Sequence, residues 1–272
     1  MTFVERYLRY LGLASLPEDP LARLRTLHVA NQQRIPFNNV DVLLGRLPTL
    51  DPDEVADKVL TRGRGGYCFE LNGLFARLLR ELGYDVHVHL GKMLAGGAIV
   101  EERPRTHMVV SVLIEGQRWM CDVSFGARGL TDTAPLREDE PVEQLDTLRY
   151  HRYGDGYLMQ TRRHDNWETL YWFDLADTWM ADWIMSNHYS STFATSPFLH
   201  NLMALRLTGH GRITFNNLRM AELRDGMRHE TLISSPQQLY TLINQHLLIP
   251  LNQADAGALF SRLAAQPAIN LV

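Results

Sequence analysis

Cys68 lies between a glycine-rich segment and a helix-forming pattern. A Gly-Gly pair just before it allows a tight turn, and from Leu71 onward apolar residues recur every three or four positions. We therefore expect Cys68 at a helix N-terminus, where unpaired N–H groups and the helix dipole favour negative charge. That setting favours the thiolate, the nucleophilic form of cysteine, and Arg62 and Arg64 would act in the same direction. The alternative is a small buried packing residue, as free cysteines often are.

A histidine and an aspartate on a predicted hairpin provide the partners that a cysteine nucleophile needs. His107 begins an alternating strand, a turn follows around Glu115-Gly116, and Asp122 lies on the return strand. A two-residue loop places both side chains on one face as diagonal neighbours, whereas a three-residue loop places them on opposite faces. With the shorter loop, the carboxylate can orient the imidazole and stabilise its cationic form. The sequence thus predicts a catalytic group of Cys68, His107 and Asp122, although each residue alone also fits an ordinary structural role.

The composition argues against several other classes of function. The 272 residues carry 27 Lys and Arg against 31 Asp and Glu, a formal net charge of −4, so we expect no nucleic-acid partner. No uncharged apolar run is long enough to span a membrane, and charges at Glu5, Arg6 and Arg9 interrupt any signal-peptide core. We therefore expect a cytoplasmic protein. In that compartment Cys68 and Cys121 do not form a disulfide framework, and Cys121 is expected in the core.

Hydrophobic periodicity divides the chain into three parts. The first 85 or so residues show helical spacing, with Asp-Pro starts at Asp19-Pro20 and Asp51-Pro52. The middle part alternates in short runs separated by glycine-containing turns, which indicates an antiparallel sheet or barrel. The last third combines a hairpin around Gly209-His210-Gly211 with two helices that start near Pro236 and Asp255. This order predicts an α+β fold.

Several segments match the motifs of a known enzyme family. Residues 64–70, Arg-Gly-Gly-Tyr-Cys-Phe-Glu, with Asn72 beyond them, look like a nucleophile motif, and residues 35–41, Ile-Pro-Phe-Asn-Asn-Val-Asp, look like an I-P-F-E-N-L-D segment with Asn38 in place of Glu. Further matches are Thr106-His107, Asp122-Val123 and Ser196-Pro197-Phe198. On these motifs the chain resembles the arylamine N-acetyltransferases over nearly its whole length.

The resemblance implies a fold and an activity. The fold would be a helical N-terminal domain (1–85) carrying Cys68, a central antiparallel β-barrel (86–190) carrying His107 and Asp122, and a C-terminal α/β lid (191–272), around a papain-like or transglutaminase-like cysteine core. The co-substrate would be acetyl-CoA, with no permanently bound cofactor, and the acceptor a small arylamine, N-hydroxyarylamine or arylhydrazine. An acetyl-cysteine intermediate, ping-pong kinetics and a role in xenobiotic metabolism follow. Monomer and homodimer both stay open.

The resemblance also nominates binding residues. For the acyl and acceptor site they are Phe37, Arg64, Tyr67, Phe125 and Phe193, and for coenzyme A they are Arg103, Pro104, Thr106 and Gly126. The basic segment 103–105 precedes the histidine strand and fits either an anionic group of coenzyme A or a solvated loop. Ser124 stands where family members commonly have glycine, so the donor or acceptor preference can differ from theirs.

Three other interpretations use the same residues. A hydrolase of the papain-like or transglutaminase-like type would pass the acyl group to water, an amide synthase would use a tethered acceptor, and a binding domain would keep the fold without catalysis. A metal site is not expected, because His87 and His89 have no evident third ligand. The small-residue loop 95–98 lacks the P-loop lysine and is weak evidence for phosphate binding.

Overall fold

The architecture is taken from a computed structural model, which describes residues 1–94, 97–126 and 128–265. The helices are α1 (Phe3–Leu11), α2 (Pro20–Arg34), α3 (Val40–Leu43), α4 (Pro52–Ala56), α5 (Cys68–Glu81), α6 (Met180–Thr192), α7 (Pro236–Leu242) and α8 (Gln253–Ala264). π-Helical turns cover Asp57–Thr61 and Ile243–Leu247, and 3₁₀ turns cover Val100–Glu102 and Pro197–Leu199. Residues 95 and 96 of the small-residue loop, and residues 266–272 of the predicted lid, lie outside the described residues.

In the described residues, thirteen strands form two antiparallel sheets. They are β1 (Phe37–Asn38), β2 (Asp85–Met93), β3 (Arg105–Ile114), β4 (Gln117–Cys121), β5 (Ala134–Pro135), β6 (Val142–Glu143), β7 (Thr147–Tyr153), β8 (Gly156–Arg163), β9 (Asn166–Asp174), β10 (Met203–Thr208), β11 (Gly211–Asn216), β12 (Arg219–Arg224) and β13 (Met227–Leu232). Eight strands, in the order β5-β4-β3-β2-β9-β8-β7-β6, form a nearly closed barrel, and the order β1-β10-β11-β12-β13 forms the second sheet. The predicted α+β class with a central barrel is confirmed, whereas the three domain boundaries stay predictions.

The cysteine helix α5 begins at Cys68, as the sequence predicts, and ends at Glu81. Its apolar stripe, which includes Leu74 and Leu78, is buried, and the helix packs against β2 and β3. Gly83 follows with φ +85°, the left-handed conformation that commonly terminates helices and that glycine adopts without strain. Because the buried stripe fixes how α5 lies on the barrel, it also fixes where the first residue of the helix points.

The hairpin that carries the histidine has the predicted two-residue turn. Glu115 and Gly116 have φ of +51° and +79°, as a type I′ turn requires, and Ile114 pairs with Gln117. The prediction that Asp122 lies on the return strand was wrong by one residue, because β4 ends at Cys121. Beyond it, the Ser124 amide donates to Oδ1 of Asp122 at 3.1 Å, and such a side-chain turn replaces the strand ladder.

Buried apolar residues form three clusters. The first lies between the N-terminal helices and one side of the barrel, the second fills the barrel, and the third lies between the C-terminal sheet and α7 and α8. Cys121 is fully buried in the first cluster, as expected for a core residue. Over the described ranges, none of the helices has the length and apolar character needed to cross a bilayer.

A short segment of the N-terminal part also belongs to the C-terminal sheet. β1 pairs with β10 through Phe37 and Leu205, and Asn39 fixes this junction with three hydrogen bonds. Its Nδ2 donates to the carbonyls of Phe198 and Asn201 at 2.9 and 2.7 Å, and its Oδ1 accepts from the Met203 amide at 2.8 Å. The side chain is buried, so these backbone groups have no easy replacement partner.

We expect Asn39→Ala to lower the free energy of unfolding by about 3 kcal/mol, because buried backbone groups lose their partners. Urea unfolding followed by circular dichroism measures this loss. Asn166→Ala, which shortens an exposed hairpin side chain, is the matched control and should change the stability by less than about 0.5 kcal/mol. Equal stability of the two variants would contradict the role assigned to Asn39.

Candidate active site

Cys68 is the first residue of α5 and has only 2% of its surface exposed. Tyr67 before it is extended, so the chain enters the helix at the cysteine. The Sγ atom lies 3.8 Å from the carbonyl oxygen of Thr106, within range of a weak S–H donor. Thr106 directly precedes His107 on β3, so the thiol and the imidazole meet where α5 packs on the barrel.

His107 and Asp122 form the buried pair that the hairpin register predicts. Nε2 of His107 lies 2.6 Å from Oδ2 of Asp122, and the two residues are 3% and 1% exposed. Burial disfavours the charged imidazole, but the Asp122 carboxylate and then the Cys68 side chain outweigh this effect and raise the pKa of His107 to about 10. Burial likewise disfavours the carboxylate, yet the pKa of Asp122 is lowered, chiefly by His107. At neutral pH the histidine is therefore an imidazolium.

The second oxygen and the backbone of Asp122 are held by amide side chains from two helices. Asn72 of α5 donates to Oδ1 of Asp122 at 2.9 Å, and its own Oδ1 accepts from the Val123 amide at 3.0 Å. Gln32 of α2 donates to the Asp122 carbonyl at 2.8 Å. Sequence reasoning placed Asn72 in the motif but missed Gln32. The available signal was that the buried stripe of α2 ends in the polar residues His28, Asn31 and Gln32, because polar residues on a buried face require partners.

Aromatic rings surround the imidazole. The ring centroids of Phe125 and Tyr171 lie 5.4 and 4.9 Å from that of His107. Gly126 follows Phe125, and a Cβ there would come within 2.4 Å of the Phe37 ring. The structure thus brings Phe37, Phe125 and Gly126 together beside the catalytic group, whereas Tyr171 was not singled out as a site residue.

Other predicted residues have partners within the protein. Arg64 binds the carboxylate of Asp41, at 2.5 Å from Nη2 and 3.2 Å from Nε. The Tyr67 side chain is fully buried, and its hydroxyl donates to the Asn187 side chain. Arg62 pairs with Asp57 at 2.9 Å. None of these contacts brings the two arginines to Cys68, so the cationic neighbour of the thiol is His107.

The remaining predicted residues lie at the surface. Arg103 and Pro104 are exposed ahead of β3, and Thr106 is partly exposed. Arg105 differs from them because its guanidinium pairs with Asp174 at 2.5 Å. Phe193 directly follows α6, has 47% of its surface exposed and stacks on Tyr189, with the ring centroids 4.4 Å apart.

Comparisons with known proteins bear on the same arrangement. A family model described as N-acetyltransferase matches residues 20–256. The arylamine N-acetyltransferase / N-hydroxyarylamine O-acetyltransferase of Salmonella typhimurium is 35% identical over 269 residues, which cover 97% of this chain and 95% of the relative. The arylamine N-acetyltransferase of Escherichia coli is 34% identical over 262 residues, which cover 94% and 91%. The chain belongs to the arylamine N-acetyltransferase family.

Solved structures of family members share the whole fold. The Salmonella typhimurium arylamine N-acetyltransferase superposes with a TM-score of 0.91 at 31% identity, over 96% of this chain and 98% of that chain. The Mycobacterium marinum arylamine N-acetyltransferase in complex with CoA superposes with a TM-score of 0.90 at 26% identity, over 96% and 99%. The predicted family and the papain-like fold class are thereby confirmed.

His87 and His89 form a pair on β2 whose spacing a metal ion could use. In the parts of the chain that the structure describes, no group of three or more His, Cys, Asp or Glu side chains is placed to hold a metal ion. Nε2 of His89 instead contacts Oγ of Ser111 at 2.8 Å, and His87 lies 3.4 Å from Asp85.

The His107 pair should make stability depend on pH in the alkaline range. Because the pKa of His107 rises from 6.5 in the unfolded chain to about 10 in the folded one, its contribution is fully present below pH 6.5 and is lost as the pH rises through 10. We expect the free energy of unfolding to fall more steeply across this window in the wild type than in His107→Gln. His151→Gln, which removes an exposed histidine that also contacts an aspartate, should behave like the wild type.

Proposed function

We propose that this chain transfers an acetyl group from acetyl-CoA to an arylamine, N-hydroxyarylamine or arylhydrazine through an acetyl-cysteine at Cys68. The observation that carries the proposal is a helix-N-terminal thiol, 3.8 Å from the carbonyl oxygen of Thr106, next to an imidazolium that a buried carboxylate pairs at 2.6 Å. The acceptor and donor classes are supported by the names of the Salmonella typhimurium and Escherichia coli relatives and by the CoA complex of the Mycobacterium marinum enzyme.

The first half-reaction loads the cysteine. The Cys68 thiolate attacks the carbonyl carbon of the thioester, and the sulfur of coenzyme A leaves with the bonding electrons. His107, an imidazolium at neutral pH, gives its proton to that leaving sulfur, so that the free thiol departs and the ring becomes neutral. Backbone N–H groups in the first turn of α5 have no partner within the helix and can stabilise the oxyanion that forms between attack and departure.

The second half-reaction transfers the acetyl group. A neutral amine attacks the acetyl-cysteine, the now neutral His107 accepts a proton from the amine nitrogen, and the Cys68 thiolate leaves. The amide product and the original ion pair result. Asp122 acts throughout by orienting the ring and stabilising its charged form, and Asn72 and Gln32 hold Asp122 in place.

The surroundings of the catalytic group suit a flat acceptor. Phe125 supplies an apolar ring beside His107, and the ring of Phe37 packs directly against the backbone of Gly126, where a side chain would clash with it. We assign acceptor contacts to these residues and to Phe193. The coenzyme contacts are assigned to Gly126 together with Thr106, Arg103 and Pro104 at the entrance of β3. Arg64 and Tyr67 would support the site indirectly, through their contacts with Asp41 and Asn187. The proposal also includes a role in xenobiotic metabolism.

Incubation with acetyl-CoA alone should acetylate one site, Cys68, because the first half-reaction needs no acceptor. Intact mass followed by peptide mapping measures the adduct. An aniline or an arylhydrazine should then remove the adduct and yield one equivalent of acetylated product. Cys68→Ala should stay unmodified, whereas Cys121→Ala should be acetylated like the wild type.

Three outcomes would contradict this proposal. A wild-type protein that never carries the adduct, even on rapid quenching, would exclude the acetyl-cysteine. An adduct that water removes at a rate unaffected by amines would favour the hydrolase. An adduct stable to every free amine but transferred within one molecule would favour the amide synthase with a tethered acceptor.

Asp122→Asn should lower kcat/KM by about a thousandfold, because the amide cannot balance an imidazolium. The activity with acetyl-CoA and a reactive aniline measures the loss. Asp139→Asn is the matched control, since Asp139 also contacts a histidine, His151 at 2.9 Å, but on the exposed surface. Near wild-type kcat/KM in a folded Asp122→Asn variant would contradict the assigned role.

A further inference from the structure

Four charged side chains are buried together beside the start of α5. Asp41, Lys58 and Arg64 have side chains 11%, 11% and 13% exposed, and that of Glu70 is 1% exposed. Nζ of Lys58 lies 2.8 Å from Oε1 of Glu70 and 3.2 Å from Oδ2 of Asp41, whose Oδ1 lies 2.5 Å from Arg64. We call this set the buried ion cluster. Two cations and two anions make its formal charge zero.

Glu70 connects the buried ion cluster to the nucleophile. Its Oε2 accepts from the Tyr67 amide at 3.2 Å, so it caps the helix whose first residue is Cys68. A Cβ on Gly66 would come within 2.8 Å of the same oxygen, so a side chain at this position would require Glu70 to shift. The carboxylate therefore lies in the same helical turn as the reactive sulfur, where a net negative charge would oppose the thiolate.

Lys58 is the group that offsets this charge. Among the described residues, it alone brings a cationic nitrogen within 4 Å of Glu70. It lies in the π-helical turn Asp57–Thr61, whose backbone is tied to the glycine-rich segment because the Lys58 carbonyl accepts from the Arg64 amide at 3.1 Å. π-Turns are rare and are frequent at functional sites.

The buried charges depend on one another. Burial raises the pKa of Glu70, and the Lys58 ammonium group acts against that rise. Burial lowers the pKa of Lys58, but Glu70 and then Asp41 raise it above its usual value. Without Lys58, Asp41 would keep two cationic partners, Arg64 and the surface residue Arg46. Among the described residues, Glu70 would then have no cationic partner.

We propose that Lys58 is a positioning residue for the nucleophile, because it neutralises Glu70 and so keeps the first turn of α5 capped and free of uncompensated negative charge. This inference rests on the proposed function in that it takes Cys68 as the reacting group. The charged and titratable groups that surround the turn are Asp41, Arg46, Lys58, Arg62, Arg64, Tyr67, Glu70, His107 and Asp122. Of these, Lys58 and Glu70 can be changed as a pair without touching the His107–Asp122 contact.

The test is the rate at which iodoacetamide alkylates Cys68 as a function of pH. Lys58→Met should raise the midpoint of that profile by about one pH unit and shift the acid limb of the kcat/KM profile upward by the same amount, with little change in KM for acetyl-CoA. Lys58→Arg keeps the charge and should keep the midpoint. Arg77→Met, which removes a cation about 14 Å further along α5 where it pairs with Asp53 and Glu81, should also leave the midpoint unchanged.

The double variant shows whether Lys58 acts on Cys68 through its charge or through its packing. Lys58→Met with Glu70→Gln removes both charges while Gln can still accept from the Tyr67 amide, so most of the midpoint shift should disappear. Glu70→Gln alone should lower the midpoint or leave it, and it provides the test if Lys58→Met does not fold. An unchanged midpoint in folded Lys58→Met, a shift that persists in the double variant, or a raised midpoint in Glu70→Gln would overturn the proposal.

The result is independent of the acetyl-transfer assay. Alkylation reports the state of the Cys68 sulfur whether or not acetyl-CoA is the donor. If wild-type Cys68 does not accept an acetyl group, the proposed function is wrong, but the alkylation profiles still test the role of Lys58. Conversely, identical profiles in wild type and Lys58→Met would remove the role of Lys58 and leave acetyl transfer standing.

Discussion

The ion pair between the His107 imidazolium and the Asp122 carboxylate is almost completely buried. The rest of the site must therefore offset the free-energy cost of removing these two charges from water. Two charges removed from water are stable only when their contact is close and their remaining polar atoms have partners. Here the contact is 2.6 Å, Asn72 of α5 and the Ser124 amide hold the second oxygen, and Gln32 of α2 holds the backbone. Both helices must therefore pack on the barrel before the pair can form.

The same packing brings the nucleophile to the base. Cys68 belongs to α5 and His107 to β3, which are separated in sequence by β2 and a loop, and they meet only because the apolar stripe of α5 lies against the barrel. The weak contact of Sγ with the Thr106 carbonyl marks the junction. The interface between the helical and barrel parts must therefore be rigid if the sulfur and the imidazole are to stay together.

The positive charge near Cys68 does not come from Arg62 and Arg64, the sequence neighbours that were expected to supply it. Arg62 and Arg64 flank the motif, but their guanidinium groups are taken by Asp57 and Asp41. Positive charge near the thiol comes instead from His107, brought by the barrel, and from the N-terminus of α5. Lys58, which is ten residues from Cys68 in sequence, contributes by balancing Glu70. The two arginines that flank the motif thus have structural partners, whereas His107 and Lys58, which lie farther along the chain, act at the site.

The sequence by itself determined the start of α5, the two-residue turn that puts His107 and Asp122 on one face, and the family. These features are local, because helix caps, turn residues and alternation act within a few positions. Only the tertiary structure decided that Cys68 meets the strand of His107 at Thr106, that Gln32 supports Asp122, and that Arg64 binds Asp41. Those contacts join segments far apart in the chain, and their geometry follows from how whole helices and sheets bury their apolar faces, which no local pattern records.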